Sequence, residues 1–530
     1  MAAVPIVLDY YYCCSLPQQW QVITLLLVLV PLLSLLLATR RRSSRKGRRL
    51  QLPPGPARVP ILGNLHQLGA LPHQSLRDLS RRHGPAMLLR LGSVPTLVVS
   101  SPAAAREVMK ARDADCCSRP DTAGARRLSY EHKDVAFAPY SDYWRAMRKL
   151  FVVEFLSARR VQASRYAREA QVDKLIARLG AAAKVIQLED HIFALMDGVI
   201  GTVAFGNIYG TEQFAHKKHF HDVLDEAMSA KAGFSAEDYF PNAAGRLVDR
   251  ITGAAARRER VFRDLDAFFD VIIDQHLDPA ASNKVDQHGP PDLIDAFVAL
   301  MQERSSSSSS LAFTRDHIKG LLSNVFTASV DTSSVTMVWA MAELIRRPAM
   351  LRKVQEEIRA TVGADKARVH HDDMPKLRYL KMVVKETLRL HPAVPLLLPR
   401  ETLRHVTICG YDVPAKTRVL VNAWAIGRDP ATWDNPDEFD PDRFEGNDVD
   451  FNGTHFELVP FGAGRRMCPG MAMGVATTEF TLANLLYCFD WALPEGMSAD
   501  DVSMEEAGGL TVHKKTPLLL VPTRYKHCQQ

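Results

Sequence analysis

The most informative segment of the 530-residue chain reads Phe461-Gly462-Ala463-Gly464-Arg465-Arg466-Met467-Cys468-Pro469-Gly470. Its single cysteine follows a glycine-rich turn and precedes a helical pattern that runs from Met471 to Leu486. Gly464 and Gly470 permit tight turns and a close approach of the backbone. The segment is therefore suited to present the sulfur of Cys468 to a partner.

Two neighbours and the other cysteines set Cys468 apart. Phe461 can cover its sulfur, and Arg466 can meet an anionic group. None of the eight cysteines forms a C-x-x-C pair, so zinc-ribbon spacing is absent. A chain of this length needs no disulfide framework. We expect the remaining seven to be mostly reduced, buried thiols: Cys13, Cys14, Cys116, Cys117, Cys409, Cys488 and Cys528.

Composition is that of an ordinary globular protein, with 47% hydrophobic and 24% charged residues. The formal net charge of +6 could suggest a nucleic-acid partner. However, the excess is local, and the rest of the chain is close to neutral. We therefore expect no nucleic-acid partner. The local charge comes from a basic cluster that contains no acid: Arg40, Arg41, Arg42, Arg45, Lys46, Arg48 and Arg49.

An apolar run from Val22 to Ala38 follows Trp20 and precedes the basic cluster. It is about long enough to span the ~27–30 Å of a bilayer's hydrocarbon core. A cleaved secretory signal would carry positive charge before the apolar run, but residues 1–21 contain neither Lys nor Arg. The pattern favours an uncleaved anchor in the lipid bilayer, with a lumenal N-terminus and a cytosolic body after Arg40.

We divide the chain into three parts on this basis. Residues 1–39 form the lumenal N-terminus and transmembrane anchor. Residues 40–56 form a basic linker ending in Leu52-Pro53-Pro54-Gly55-Pro56, which predicts a stiff extended spacer because proline fixes φ. Residues 57–530 form the main body, which we expect to be a single large domain.

The body shows mainly helical patterns with a few short strands. A hairpin is expected where two apolar runs flank Gly92-Ser93. The longest helical pattern, Thr314–Arg347, would span roughly 50 Å, with Thr314 as its cap and Pro348 opening the next helix. We predict one large, mainly α domain with small β-sheets. The other expected elements are a helix at Val261–His276, strands at Met87–Leu91, Thr96–Ser100, Val406–Ile408, Tyr411–Val413, Arg418–Asn422 and Thr511–Pro522, and surface loops at Pro279–Pro291 and Ser305–Ser310.

The segment at residues 461–470 matches the F-x-x-G-x-R-x-C-x-G signature of the cytochrome P450 family at every fixed position. The resemblance implies the cytochrome P450 fold and a haem b whose iron takes the thiolate of Cys468. A thiolate ligand favours O–O bond cleavage. The resemblance also implies electrons from an NADPH–cytochrome P450 reductase, so that NADPH is used through the reductase and not bound directly. The location implied is the endoplasmic reticulum membrane, with a single pass.

Other segments resemble the same family. Glu386 and Arg389 lie three apart on one predicted helix, and Pro441-Asp442-Arg443-Phe444 resembles the segment whose arginine completes a buried Glu–Arg–Arg cluster near the haem. Asp442 stands where many relatives have Glu. Trp144-Arg145-Ala146-Met147-Arg148 resembles the W-x-x-x-R helix. By resemblance the haem propionates would meet Trp144, Arg148, Arg400 and Arg466, and Phe461 would lie against the haem. Taken singly, each arginine could equally be a surface charge.

The acid–alcohol pair that delivers protons in this family corresponds to Asp331 and Thr332. Ser329 occupies a position where the family usually has glycine. Its hydroxyl is expected to bond back to the carbonyl of Val325, four residues earlier. The substrate pocket is expected to draw on Leu128–Phe137, Asn324–Ser333, Val394–Leu398 and Gly509–Val512.

Narrower segments are similar to the grass 4-hydroxyphenylacetaldehyde oxime monooxygenases, which convert an aromatic aldoxime through a nitrile to a hydroxynitrile. These segments are Asp115–Pro120, Phe205–Tyr209 and Phe240–Arg246. The resemblance implies a small apolar or aromatic substrate. Three alternatives remain open: a hydroxylase of another small aromatic or terpenoid metabolite, an oxygen-independent haem-thiolate dehydratase, and a non-catalytic haem sensor. Retention of Asp331 and Thr332 argues against the last two.

Overall fold

The computed structural model describes residues 50–182, 184–206, 235–277, 292–306 and 313–525. The chain divides into two units, Met1–Gln51 and Leu52–Gln530. The predicted anchor, the basic cluster and the Pro279–Pro291 loop lie outside the described residues, as do Asn207–Tyr209 and most of the serine run. Within the described ranges, no helix combines the length and apolarity needed to cross a bilayer. All the helices and strands of the described residues lie in the second unit.

Helices make up most of this unit, as the sequence predicts. In chain order α1–α17 are Pro72–His83, Pro102–Arg106, Asp113–Cys116, Ala123–Leu128, Asp142–Phe151, Ala158–Ala163, Arg165–Gly180, Leu188–Phe205, Ala236–Tyr239, Ala243–Ile251, Ala254–Leu277, Leu293–Ser306, Arg315–Arg346, Pro348–Val362, Arg378–Leu390, Ala423–Ile426 and Met471–Cys488. Short 3-10 turns cover Leu65–Gln67, Met374–Lys376, Pro441–Phe444, Gly464–Arg466 and Ala499–Asp501, and π-helical turns cover Glu107–Ala111 and Val152–Leu156.

The strands are short and lie at the edge of the helical body. In chain order β1–β11 are Ala86–Leu91, Val94–Val99, Ile186–Gln187, Arg400–Glu401, Val406–Ile408, Tyr411–Val413, Arg418–Val421, Phe489–Ala492, Glu506–Ala507, His513–Lys514 and Leu519–Arg524. The largest sheet has the order β1-β2-β7-β4, with β2 and β7 parallel. The predicted hairpin is confirmed, since β1 and β2 pair antiparallel around Gly92-Ser93. The strand expected at Thr511–Pro522 is instead divided into β10 and β11.

The central helix α13 confirms the prediction of a long helix at Thr314–Arg347. Thr314 is its N-cap and forms a capping box with His317, and Pro348 opens α14. Its 32 residues extend over about 48 Å. The helix is buried along nearly its whole length, where it packs against α8, α15 and α17. The main hydrophobic core lies along these contacts and holds Phe205, Phe326 and Phe480 among its fully buried side chains.

The proline-rich segment forms neither helix nor strand, and it packs against the body. Leu88 donates its backbone N–H to the carbonyl of Pro54 at 2.8 Å. A Cβ at position 55 would lie 2.3 Å from the Leu88 carbonyl oxygen, so Gly55 permits the close approach. The segment therefore lies along strand β1.

Candidate active site

A cavity of about 310 Å³ lies between α13 and the segment at residues 461–470. The four segments expected to shape the pocket all contribute to its wall, which confirms that prediction. Most of its surface is apolar. The side chains lining it include Phe137, Phe151, Phe155, Leu156, Met196 and Ile200. The cavity therefore suits a small apolar or aromatic molecule.

The roof of the cavity is fixed to the central helix by one asparagine. Asn324 on α13 accepts the backbone N–H groups of Val135 and Ala136 at 3.1 and 3.0 Å. Its amide donates to the carboxylate of Asp134 at 2.9 Å. These bonds are buried, so the loop before α5 is held in place over the cavity.

Cys468 lines the opposite wall. Its backbone N–H donates to the Phe461 carbonyl at 2.9 Å, which closes the turn. Gly464 has φ +69°, and a Cβ there would lie 2.2 Å from the Met109 carbonyl oxygen. Only glycine satisfies both conditions. The turn requires this residue type, and it ends where the sulfur is open to the cavity.

The environment of the sulfur suits a metal-bound thiolate. Burial raises the pKa of the Cys468 thiol, opposed by the N–H groups of Gly470 and Met471 and by the charge of Arg148. A bound cation overrides such a shift, because a coordinating thiol loses its proton. Phe461 also lines the cavity and packs edge-to-face on Phe451, with ring centroids 5.4 Å apart.

Four buried or part-buried arginines line the same cavity. Arg148 donates to the Met467 carbonyl at 2.6 Å, and Arg466 donates to the carbonyls of Cys117 and Ala138, each at 2.7 Å. Arg400 donates to Asp113 at 2.8 Å and to the Ala463 carbonyl at 2.7 Å. The sequence patterns do not predict a role for the fourth, Arg119, although it lies in the segment Asp115–Pro120. It donates to the carbonyls of Ala136, Leu398 and Pro399.

These arginines carry more charge than their surroundings neutralise. Among the described residues, only Arg400 of the four forms an ion pair. Burial lowers the pKa of Arg466 to about 9 and that of Arg148 below its usual value. Burial, then repulsion from Arg466 and Arg400, holds the pKa of Arg119 well below its usual range. Such a cluster calls for an anionic ligand. A soft sulfur donor and this cationic edge together fit haem, with its iron and two propionates.

Trp144 is placed differently from the expectation. It lies outside the cavity lining, and its indole N–H donates to the Val135 carbonyl at 2.9 Å. Its ring instead lies against two of the arginines. The guanidinium carbon of Arg466 is 3.9 Å from the ring centroid and that of Arg148 is 5.6 Å from it. Trp144 therefore positions the arginines by cation–π contact, and it does not reach into the cavity.

Glu386, Arg389 and Arg443 meet outside the cavity. Glu386 is completely buried and accepts two hydrogen bonds from Arg389, each 2.7 Å, and one of 2.9 Å from Arg443. Arg389 also donates to the carbonyls of Gly427, Pro436 and Glu438. The cluster thus fixes helix α15 to the chain segment that leads into the 3-10 turn Pro441–Phe444. Asp442 faces away and pairs with Lys353 at 2.6 Å.

Asp331 and Thr332 are adjacent on α13, but their side chains have different partners. Thr332 lines the cavity and donates its hydroxyl to the Ala328 carbonyl at 2.6 Å. Asp331 lies behind the lining, where it accepts a hydrogen bond from Thr511 and pairs with His513 at 3.0 Å. Neither partner was identified individually from the sequence, since 180 residues separate Asp331 from Thr511 and no local pattern joins them.

Ser329 does not make the expected bond. Within the described part of the chain, its hydroxyl forms no hydrogen bond to the Val325 carbonyl, and the side chain lines the cavity instead. Thr332 makes the back-bond in this turn, to Ala328. Ser329 is therefore part of the cavity wall.

Comparison with known proteins agrees with this geometry. Residues 53–521 match the cytochrome P450 family. The chain is 62% identical to the 4-hydroxyphenylacetaldehyde oxime monooxygenase of Sorghum bicolor, over 92% of this chain and 91% of that protein. It is 47% identical to the 2-methylbutanal oxime monooxygenase of Manihot esculenta, over 91% and 93%. A zebra fish cytochrome P450 solved with progesterone superposes with a TM-score of 0.72 at 26% identity, covering 85% of this chain and 99% of that one.

Proposed function

The chain belongs to the cytochrome P450 family and is a haem-dependent monooxygenase; on that premise we propose that it converts an aromatic aldoxime through a nitrile to a hydroxynitrile. The observation that carries the proposal is the 62% identity to the Sorghum bicolor enzyme over nearly the whole chain. The lower identity of 47% is to a relative named for an aliphatic oxime. A cavity wall containing Phe137, Phe151 and Phe155 supports the aromatic choice.

The two half-reactions make different demands. Loss of water from R–CH₂–CH=N–OH gives R–CH₂–C≡N and involves no net oxidation or reduction. Hydroxylation of that nitrile consumes O₂, two electrons and two protons, and gives R–CH(OH)–C≡N and water. The electrons come from NADPH through the reductase. The haem, with its thiolate ligand, supplies the oxygen activation. The protein must bind the substrate in the mainly apolar cavity and deliver protons.

We assign the residues as follows. Cys468 is the iron ligand, and Phe461 packs beside the haem. Arg148, Arg400 and Arg466 bind its propionates, together with Arg119, because their charges lie at one edge of the cavity without enough acid to neutralise them. Thr332 offers its hydroxyl from the cavity wall, and Asp331 provides the acid behind that wall. The cluster of Glu386, Arg389 and Arg443 holds helix α15 against the chain before the 3-10 turn Pro441–Phe444, and the haem-binding arrangement depends on that attachment.

We also propose that residues 1–39 anchor the protein in the endoplasmic reticulum membrane, with the catalytic domain in the cytosol. The apolar run of Val22–Ala38 supports this. Two groups of exposed apolar side chains lie on either side of the β1–β2 turn. The backbone N–H of Gly92 donates to the Leu62 carbonyl, and that of Ser93 donates to the carbonyl of Tyr239, which shortly precedes α10. The two groups are Val59, Ile61 and Leu62, and Leu247, Val248 and Ile251. Deletion of residues 1–39 should release much of the protein from membranes with its haem retained. Loss of all folded protein would contradict the assignment.

Product analysis tests the substrate proposal. Purified enzyme, reductase and NADPH are incubated with 4-hydroxyphenylacetaldehyde oxime, 2-methylbutanal oxime and simple aromatic acids, in air and without oxygen. We expect the aromatic oxime to give hydroxynitrile in air and to stop at nitrile without oxygen. Nitrile alone in air would identify a dehydratase. Reaction of the acids but of no oxime would overturn the assignment.

A further inference from the structure

We infer that His513, Asp331 and Thr511 form a proton relay. It connects the outer face of the hairpin formed by strands β9 and β10 with the cavity. The inference rests on the proposed function in one respect only, namely that a monooxygenase must supply protons to its cavity. The three residues form a closed set of contacts. Thr511 donates its hydroxyl to one oxygen of Asp331, and His513 Nε2 lies 3.0 Å from the other oxygen and 3.1 Å from Thr511 Oγ1.

The exposed fraction of the side chain falls from His513 through Asp331 to Thr511. The side chain of His513 is 40% exposed, whereas that of Asp331 is 17% exposed. Thr511 is buried, and of the three it is the one that lines the cavity. A proton arriving at the histidine therefore has the carboxylate and then the threonine hydroxyl between it and the cavity.

The hairpin that carries Thr511 and His513 is held on several sides. His513 pairs with Ala507 across β9 and β10, and its ring stacks on Phe193 with an interplanar angle of 9°. Val512, between the two relay residues, donates to the Ala393 carbonyl and accepts from the indole N–H of Trp339, both at 3.0 Å. The relay geometry is thus preorganised by backbone contacts on either side.

The proton transfer balances without any further reagent. A protonated His513 gives its Nε2 proton to one oxygen of Asp331. The carboxyl group of the resulting acid rotates so that the oxygen carrying this proton faces Thr511, and it passes the proton to the Thr511 hydroxyl as that hydroxyl releases its own proton to an acceptor in the cavity. Asp331 is then a carboxylate again, and His513 is re-protonated from water. One proton has crossed, and no residue has been oxidised or reduced.

Thr332 does not provide the same connection. Its hydroxyl donates to the Ala328 carbonyl, and the bonds made by Asp331 go to the hairpin. Thr511 is therefore the hydroxyl through which this carboxylate reaches the cavity, and Thr332 acts separately at the wall.

Four variants separate proton transfer from simple attachment of the hairpin. Thr511→Val removes the hydroxyl and keeps the shape, while Thr511→Ser keeps the hydroxyl. His513→Gln retains a hydrogen-bonding group but cannot carry a proton at neutral pH. The matched control is His405→Gln, because His405 is also a part-exposed histidine paired with a carboxylate, Asp412, at 3.1 Å. It lies outside the cavity lining, immediately before strand β5.

The readout is hydrogen peroxide released per NADPH oxidised with reductase, measured without substrate and with the aldoxime. When protons arrive late, O₂ leaves as H₂O₂ after two electrons and is not reduced to water or inserted into substrate. We expect peroxide per NADPH to rise several-fold, and any product rate to fall by about tenfold or more, in Thr511→Val and His513→Gln. Thr511→Ser, which keeps the hydroxyl, should restore most of the coupling lost in Thr511→Val, and His405→Gln should match the wild type. The substrate-free arm remains informative even if no aldoxime reacts, so failure of the two proposals is distinguishable.

A second readout does not depend on turnover. In protein labelled with ¹⁵N-histidine, the Nε2 resonance of His513 should move in Asp331→Asn and in Thr511→Val, with the melting temperature and haem content retained. Wild-type peroxide release in both Thr511→Val and His513→Gln would overturn the relay. An equal defect in Thr511→Ser would also overturn it, because it would show that shape, and not the hydroxyl, matters.

Discussion

The guanidinium of Arg466 lies against the ring of Trp144, with 3.9 Å between the guanidinium carbon and the ring centroid. Trp144 itself stays outside the cavity, and its N–H is bonded to the Val135 carbonyl. We therefore expect the aromatic ring to act on the haem through the arginines that it contacts.

Trp144→Leu should weaken haem binding by about tenfold, because the contacts with Arg466 and Arg148 are lost in a desolvated site. Haem transfer to an acceptor protein measures this change. Trp424→Phe is the control, since Trp424 lies 4.0 Å from the guanidinium carbon of Arg428 and outside the cavity lining. Equal haem loss in both variants would show that Trp144 has no specific role.

Glu386→Ala should destabilise the folded protein by about 3–5 kcal/mol, because it leaves Arg389 and Arg443 buried without their common partner. Urea unfolding measures the difference. Asp442 lies beside Arg443 on the 3-10 turn Pro441–Phe444 and forms an exposed ion pair with Lys353. Asp442→Asn breaks this pair and should lower the free energy of unfolding by less than about 1 kcal/mol. Similar losses for the two variants would contradict the role of the buried cluster.

His317 gives the fold a predictable acid sensitivity. Burial, with a smaller contribution from Lys133, lowers the pKa of His317 to about 4. Its neutral Nδ1 accepts the backbone N–H of Thr314 at the start of α13. The folded pKa lies below the unfolded value of about 6.5, so the unfolded state binds the proton more tightly. Stability should therefore fall as pH drops from about 6.5 towards 4.

The matched variant is His317→Gln, which keeps a side-chain acceptor at the third helical position. The free energy of unfolding of the wild type should fall by about 1 kcal/mol more than that of the variant between pH 7 and pH 5, after allowance for partial screening. Burial also lowers the pKa of His371 to about 4, but His371 is unchanged in both proteins, so the comparison isolates His317. Parallel pH profiles would exclude this residue as the cause.

Sequence patterns predict the parts of this structure whose causes are local. The turn at Cys468, the capped helix α13 and the hairpin at Gly92-Ser93 all follow from residues close together in the chain. Arg119, Thr511 and His513 could not be assigned individually, because their roles depend on contacts with distant segments. The same reason explains why the placement of Trp144 could not be predicted. Its segment was recognised, but the direction of its ring is set by tertiary packing.

Thr332→Ala should raise the ratio of nitrile to hydroxynitrile in air by about tenfold or more, because hydroxylation loses a proton-donating hydroxyl at the cavity wall and dehydration does not need O–O cleavage. NADPH should be consumed with release of hydrogen peroxide. Ser329→Gly is the companion variant and should shift the ratio towards hydroxynitrile by widening the groove. An unchanged ratio in Thr332→Ala would exclude the proposed role.

The central claim is that the thiolate of Cys468 binds the haem iron, and the carbon monoxide difference spectrum of the reduced protein tests it most directly. Wild-type protein should show the red-shifted band of a thiolate-ligated haem. Cys468→Ala should lose that band, whereas Cys117→Ala, a buried cysteine whose carbonyl binds Arg466, should keep it. Survival of the red-shifted band in Cys468→Ala would contradict the assignment.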